Sequence, residues 1–402
     1  MTRSAVDTIK GYFYQFDYSI KQIMELDTLD DHITVEHIED VDIKSASETT
    51  AIQCKYYEKS EYNHSVIAQP IRYMLTHYMN IKNNATESYR YKLYGFYSKG
   101  QEKLALPITV DFLKSKFLTY TSNKVKHEHH IEKGATNDDL TNFIELLTID
   151  INAQEYNEQV QSIIEIFTKQ FNCNHFDAEH YFYNNALKVI KDISTKSDVT
   201  ERLITKGDFL ELINRKKLLF NHWFIEYKGL ANYYRAIRKE YFTTLNTSPF
   251  DRFFLIDIDN NNYKRSELKE LILILSNKWG KTTRRTPSPF CPYIYINNIA
   301  EVELIELKKE FERESFGFVD GYNFQGAEFN VKSILKQPFE FTNIKIKFVN
   351  HINELYLLLD KSNNTKEIYQ FYYNEPFFSN TQSNVKEVQI QLTELIGIKE
   401  VI

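Results

Sequence analysis

Along the first hundred residues the period of the apolar positions changes repeatedly. Ile9, Phe13, Phe16, Ile20, Ile23 and Met24 recur at helical spacing, which predicts an amphipathic helix over residues 4–26. "HITVEHIEDVDI" then alternates over residues 32–43 and reads as a strand. "TAIQCKYY", residues 50–57, reads as a second, and "SASETT" between them as a hairpin turn. Helical spacing returns in "HSVIAQPIRYMLTHYMNI", where Pro70 is tolerable in a first turn. "YRYKLYGFYS" is strand-like again. Helix, strand, strand, helix, strand is an α/β order with a mixed sheet.

Around residues 121–140 the chain turns polar, and the next hundred residues carry helical patterns: "LTNFIELLTIDI", "EYNEQVQSIIEIFTKQF", "DAEHYFYNNALKVIKDI" and the long run 206–242. Pro249 marks a further change. Strand-like "RFFLIDID", "CPYIYIN", "IKIKFVN" and "EIYQFYYN" then share the C-terminal part with the helical stretches 266–279 and 301–314. The expected organisation is an N-terminal α/β domain over 1–130, a helical linker or docking region over 131–247, and a C-terminal α/β assembly or regulatory module over 248–402. No internal repeat is evident.

Composition narrows the class. A chain of 402 residues exceeds one average domain. Its 42% apolar content and 15% aromatics can fill sizeable cores, which excludes wholesale disorder. No apolar run approaches a membrane span, and the N-terminus lacks an apolar signal core, so a cytoplasmic location without membrane partners is expected. Cys54, Cys173 and Cys291 are far apart with no C-x-x-C pair, which suits a reducing compartment and gives no zinc framework. A net charge of −6 rules out a globally basic DNA-binding surface, so local basic patches and divalent cations would carry such binding.

Candidate chemistry gathers in "HIEDVDIKSASETTAIQCKYY", residues 37–57. Residues two apart on a strand share a face. A regular first strand would therefore align Glu36, Asp40 and Asp42, and the second strand would align Gln53 and Lys55. Pairing the two strands brings carboxylates, an amide oxygen and an ammonium group together. Hard oxygen ligands suit Mg²⁺, and a lysine beside the ion can orient water and stabilise charge on a phosphodiester under attack. The structural alternative is an ordinary half-exposed hairpin with solvated charges.

"DVDI…AIQCKYY" resembles the core of the PD-(D/E)xK restriction-endonuclease-like superfamily, and its Gln-x-Lys form is similar to Mrr-type enzymes. With "GYFYQ" (Gly11, Tyr14, Gln15) and "VEHIEDVDI" upstream, the first 120 or so residues resemble the nuclease domains of bacterial anti-phage effectors, those of CBASS and Lamassu systems among them. The resemblance implies a restriction-endonuclease-like mixed sheet flanked by helices. It makes Asp42 the metal-binding aspartate, Gln53 the replacement for a second carboxylate and Lys55 the catalytic lysine. Glu36, Glu39 and Asp40 would support them, and "QPIRY" (Gln69 to Tyr73) matches the Q-x-x-x-Y pattern of RecB-like nucleases. The implied cofactor is Mg²⁺, with Mn²⁺ as a substitute, and the implied substrate is double-stranded DNA. No proline precedes the aspartate, and the neutral Gln53 makes metal binding lean on substrate.

Outside this stretch, Lys278, Lys281, Arg284 and Arg285 lie in a run without acidic residues and are candidate phosphate contacts. His127, His129 and His130 with Glu128 and Glu132 read as a polar loop rather than a structural metal site. The run 212–242 interleaves aromatics with Lys and Arg; it reads mostly as core, and also fits docking of DNA or a partner. "RFFLIDIDNNN" has no Gly-rich loop, so ATP binding is not expected. "SPFDRFFLIDID" is similar to the assembly region of three-component systems, which implies an SMC-like ATPase partner, a third small subunit and restraint of the free nuclease. The alternatives are a CBASS-type effector whose C-terminal module binds a cyclic oligonucleotide and drives homo-oligomerisation, and a degenerate nuclease fold serving as a scaffold.

Overall fold

The computed structural model describes residues 5–45, 48–83, 88–242, 249–283, 285–286, 288–324, 326–380, 382 and 384–402. The chain is α/β, with one mixed and one parallel six-stranded sheet, each flanked by helices, and, where a polar loop was expected, a two-stranded antiparallel hairpin of Thr119–Ser122 and Val125–Glu128. It divides into two compact units, residues 1–215 and 216–402, rather than near residues 130 and 247.

The first unit begins with helix α1 (Ala5–Glu25). Its core face is carried by Tyr14, Tyr18, Ile20, Ile23 and Met24, while Ile9 and Phe13 of the expected stripe are exposed. "HITVEHIEDVDI" is not one strand. It forms β1 (His32–Val35) and β2 (Val41–Lys44), antiparallel, with a turn in which Glu36 adopts a positive φ of 56°. β3 (Glu48–Glu61) pairs antiparallel with β2, Asp42 opposite Ala51, and parallel with β4 (Ser88–Lys99). Between them α2 (His64–Ile81) carries Pro70 as its seventh residue, in the second turn, with the ring buried.

"LTNFIELLTIDI" also splits. It ends helix α3 (Asn137–Leu146) and continues as strand β5 (Leu147–Asp150), parallel to β4. The β-branched Thr and Ile there favour a pleated surface. Helices α4 (Tyr156–Gln170) and α5 (Asn184–Ser194) follow, then β6 (Leu203–Thr205), antiparallel to β1, and α6 (Lys206–Ile213). The sheet order is β5-β4-β3-β2-β1-β6. α1, α4, α5 and α6 bury one face around Tyr14, Ile52, Cys54 and Phe167. α2 and α3 bury the other around Ala51, Ile71, Leu93 and Phe143. The helical segment after residue 131 is therefore partly a layer of the first sheet.

The second unit opens with α7 (Lys216–Lys228) and α8 (Leu230–Tyr241), separated at Gly229, whose φ of +82° favours glycine. β7 (Asp251–Asp257), α9 (Arg265–Trp279), β8 (Tyr293–Asn297), α10 (Glu301–Arg313), β9 (Phe318–Val319), β10 (Ile346–Val349), α11 (Ile352–Lys361), β11 (Lys366–Tyr372) and β12 (Val385–Gln391) follow. All six strands run parallel in the order β9-β10-β8-β7-β11-β12. β7 is buried along its whole length, as a central parallel strand covered on both faces must be. Helix α11 and strands β9 and β12 had no reading in the sequence pattern.

Candidate functional site

The turn between β1 and β2 and the start of β3 assemble the candidate site. The β2–β3 ladder stops at the pair Val41–Ile52. Two residues further along β3 the N–H of Cys54 has no partner on β2, and the Asp40 carboxylate takes it at 2.8 Å. The same oxygen, Oδ2, accepts from Gln15 Nε2 of α1 at 2.8 Å and from the Gln53 amide. Asp40 is thus the carboxylate that meets Gln53, with three donors on one oxygen. Gln15 lay in the sequence signature without a role, and only its contact with Asp40 supplies one.

Asp42 faces the same side of the sheet as Ala51, and hence Gln53 and Lys55. It is almost fully buried. Its Oδ2 accepts the N–H of Ile38 at 2.7 Å, and the Glu39 N–H also bonds this carboxylate. Asp42 therefore clamps the turn. Its second oxygen, Oδ1, is buried with no hydrogen-bond partner. Gln53 directs its amide nitrogen to Asp40, which leaves its carbonyl oxygen free of that bond.

Crowding of carboxylates in a poorly solvated turn raises their proton affinity. Burial pushes Asp42 up to about 7, against the pull of the two turn amides. Burial, then the charges of Asp40 and Asp42, push Glu39 up to about 8. Asp40 is raised by burial and drawn back by Lys55 and its hydrogen bonds. Half-buried Lys55 lies near enough to favour ionisation of Asp40, Glu39 and Glu36, yet makes no ion pair within 4 Å among the described residues. Glu36 is outside any strand, and the carbonyl of its backbone is held by Arg202 at 2.7 Å. Strand parity does not place its side chain with Asp40 and Asp42.

Other residues singled out from the sequence lie elsewhere. Gln69 and Tyr73 hydrogen-bond each other at 2.7 Å on the outer face of α2, and neither reaches Asp40, Gln53 or Lys55 by a hydrogen bond. In the second unit Lys278 donates to the Ile402 carbonyl at 3.0 Å. Lys281 bridges its backbone to Phe290, Arg285 is exposed, and Arg284 lies outside the described residues. His127 pairs with Glu132 at 2.8 Å and His129 bonds Thr76 and the Arg72 carbonyl, so this run buttresses α2. Among the described residues no three His, Cys, Asp or Glu are arranged to hold a metal on their own, so any ion here would also need Gln53 or substrate. No helix among them is long and apolar enough to cross a membrane.

The second unit has a crevice that sequence reading missed. From β7 the chain winds through β8 to β10, then crosses back to β11 on the other side of β7. Ligands bind in such sheets at this reversal, beyond the carboxyl ends of the strands. A cleft of about 530 Å³ sits there, lined by Asp259, Asn262, Lys264, Glu267, Tyr373 and Glu394 among others. At the ends of β7 and β8, Asp257 accepts from Asn297 at 2.9 Å and Asn298 at 2.8 Å. Lys264 is paired with Glu267 at 2.8 Å, so the lining is acidic. Its only foretaste in the sequence is an apolar strand ending in Asp-Ile-Asp-Asn.

No family model and no curated protein matches the chain. Among solved structures, the Cap4 SAVED/CARF-domain containing receptor of Acinetobacter baumannii is 10% identical, over 92% of this chain and 91% of that one, with a TM-score of 0.32. For the same receptor with the cyclic trinucleotide 3'3'3'-cAAA the match spans 73% of this chain but only 62% of the receptor, at a TM-score of 0.32. The Moraxella osloensis Cap4 receptor is 10% identical over 96% of this chain and 83% of that one, at 0.30. Superpositions this loose equate no residue here with a residue there, and the site rests on its own geometry.

Proposed function

We propose that this chain is a Mg²⁺-dependent DNA endonuclease acting as the effector of a bacterial anti-phage defence system, with its centre at Asp40, Asp42, Gln53 and Lys55. The observation that carries the reading is the convergence of Gln15, Gln53 and the Cys54 N–H on one Asp40 oxygen, within electrostatic reach of Lys55, which has no ion-pair partner among the described residues. A solvated hairpin would not draw donors from α1 and β3 onto one half-buried carboxylate of the β1–β2 turn.

The donor set fits Mg²⁺. Asp42 Oδ1 is a buried acceptor with no partner, and Asp40 and the Gln53 carbonyl add hard oxygens. These three residues would hold the ion, which when bound supplies Lewis-acid stabilisation of phosphoryl charge. Gln15 keeps Asp40 oriented. Lys55, two residues after Gln53 on the same strand face, can orient the attacking water and stabilise charge on the non-bridging oxygens. Because Gln53 is neutral, it and the two aspartates would hold the ion weakly on their own and would depend on a substrate phosphate for a further hard oxygen.

Nicking of supercoiled plasmid by the full chain, with Mg²⁺, Mn²⁺ or EDTA, tests this. Lys55→Ala and Asp40→Ala are each expected to slow cleavage by roughly 10²-fold or more. Wild-type rates in both variants would sink the reading. No cleavage by the wild-type chain, even after activation, would favour a degenerate scaffold.

A second reading concerns control. The crevice at the strand-order reversal of the second unit favours a ligand-gated module over a purely structural one. Cyclic oligonucleotides, as in the CBASS alternative, are the first effectors to try by calorimetry on the full chain. Heat from none of a panel of them would remove that option. Control by an SMC-like ATPase and a third small subunit rests on "SPFDRFFLIDID". Within it, residues 251–257 form the buried strand β7, so a partner would meet the flanking positions such as Pro249, and co-purification of the chain with such an ATPase tests this.

A further inference from the structure

Helix α7 is turned inside out relative to an ordinary amphipathic helix. One side is docked: Asn221 is buried and donates to the Tyr372 hydroxyl at 3.1 Å and the Gln389 carbonyl at 3.2 Å. Phe224 and Ile225 pack against the core of the second unit. The opposite side exposes Phe220 at 61%, Trp223 at 50% and Tyr227 at 74%. Spacings of three and four residues put these rings in one stripe, about 4.5 and 6 Å apart along the helix axis. Exposed rings of this size cost solvation, and none of the three takes part in the core.

The charge around them is equally one-sided. The α7–α8 hairpin carries six Lys and Arg against Glu226 and Glu240, in a chain whose net charge is −6. Lys217, Lys228, Arg235 and Arg238 are exposed. An acidic partner is therefore favoured over a neutral apolar one. Exposed flat rings on a hairpin with four more cations than anions match unpaired bases on a phosphate backbone, because every base offers a π-face and every linkage a charge. A duplex keeps its bases stacked inside and could use only the cations.

We propose that the exposed face of the α7–α8 hairpin is a binding surface for single-stranded nucleic acid. The surface belongs to the second unit and does not depend on the cleavage reading of the first.

The test is anisotropy of a labelled oligothymidylate titrated with the full chain in EDTA, so that binding is read without cleavage. Trp223→Ala is expected to weaken binding roughly 5- to 150-fold, the effect of removing one base-stacking ring. A triple variant, Lys217→Gln with Lys228→Gln and Arg238→Gln, should make the slope of log K against log salt shallower by about 2, at about 0.7 per phosphate contact. Both changes are on the surface, and far-UV circular dichroism checks that each variant is folded. Unchanged affinity for oligothymidylate in Trp223→Ala, an equal weakening of duplex binding by that substitution, or no binding of oligothymidylate would overturn the proposal. The last result would assign the face to a protein partner.

Discussion

Asp17→Asn is expected to stabilise the first unit at pH 8 and leave it nearly unchanged at pH 4. Asp17 lies on α1, fully buried; its Oδ1 accepts from the Tyr183 hydroxyl at 2.8 Å, and its Oδ2 is buried without a partner. Burial pushes its carboxyl up to about 7, against an ordinary 3.8, and the single tyrosine bond does not compensate. The folded chain therefore holds a proton that the unfolded chain has released. Stability falls as pH rises from about 4 to about 7 and is flat above that. At 1.36 kcal/mol per pH unit, ionised Asp17 costs up to about 4 kcal/mol at pH 8. Asparagine has the shape of the protonated acid and can still accept from Tyr183, so the variant should recover most of that cost.

Urea unfolding at both pH values, followed by two signals, would measure it. The two tryptophans, Trp223 and Trp279, belong to the second unit, so their emission reports that unit, while far-UV circular dichroism reports both. The expected shift at pH 8 appears in circular dichroism and not in tryptophan emission. An equal shift at pH 4 and pH 8 would refute the ionisation argument, because packing alone does not depend on pH.

Three further substitutions probe particular contacts. Asp42→Ala leaves the amides of Ile38 and Glu39 without an acceptor; at about 1–3 kcal/mol for each orphaned group, thermal unfolding at pH 4, where no ionisation cost of Asp42 offsets it, should show a loss of roughly 2–6 kcal/mol, and a loss below about 1 would contradict the clamp. Gln15→Ala removes one of three donors to Asp40, and a bond to a charged acceptor is worth about 1.5–3 kcal/mol. Mg²⁺-dependent nicking should slow as well, and an unchanged rate would show that Asp40 keeps its orientation without Gln15. Gln370, fully buried on β11, accepts from the amides of Phe377 at 2.6 Å and Phe378 at 2.9 Å and donates to the Phe378 carbonyl at 2.8 Å. Gln370→Leu orphans these groups and should lower stability by about 3 kcal/mol or more, visible in tryptophan emission.

Much of the fold was legible in residue patterns, because helix and strand periods are properties of neighbouring residues. The helix–strand–strand–helix–strand order of the first hundred residues appears in the structure, apart from the break between β1 and β2. That break shows where local reasoning stopped. Even spacing would align Glu36, Asp40 and Asp42 on one regular strand, but the turn at 36–40, with Glu36 at a positive φ, cancels the parity. Likewise "LLTIDI" continues a helical pattern until β4 offers it an edge to pair with.

The residue types of the candidate site, and Gln53 with Lys55 on one face of a strand, follow from sequence alone, whereas the register that sets Asp42 opposite Ala51 does not. Three things followed only from the tertiary arrangement. Asp40 rather than Asp42 meets Gln53, because the β2–β3 ladder ends two residues before Cys54 and leaves its amide to the Asp40 carboxylate. Gln15 joins them because α1 packs across the sheet beside β3. The crevice of the second unit exists because the strand order reverses about β7. Each depends on which distant polar groups and strand edges come to face one another once the core has formed, and no local period carries that information.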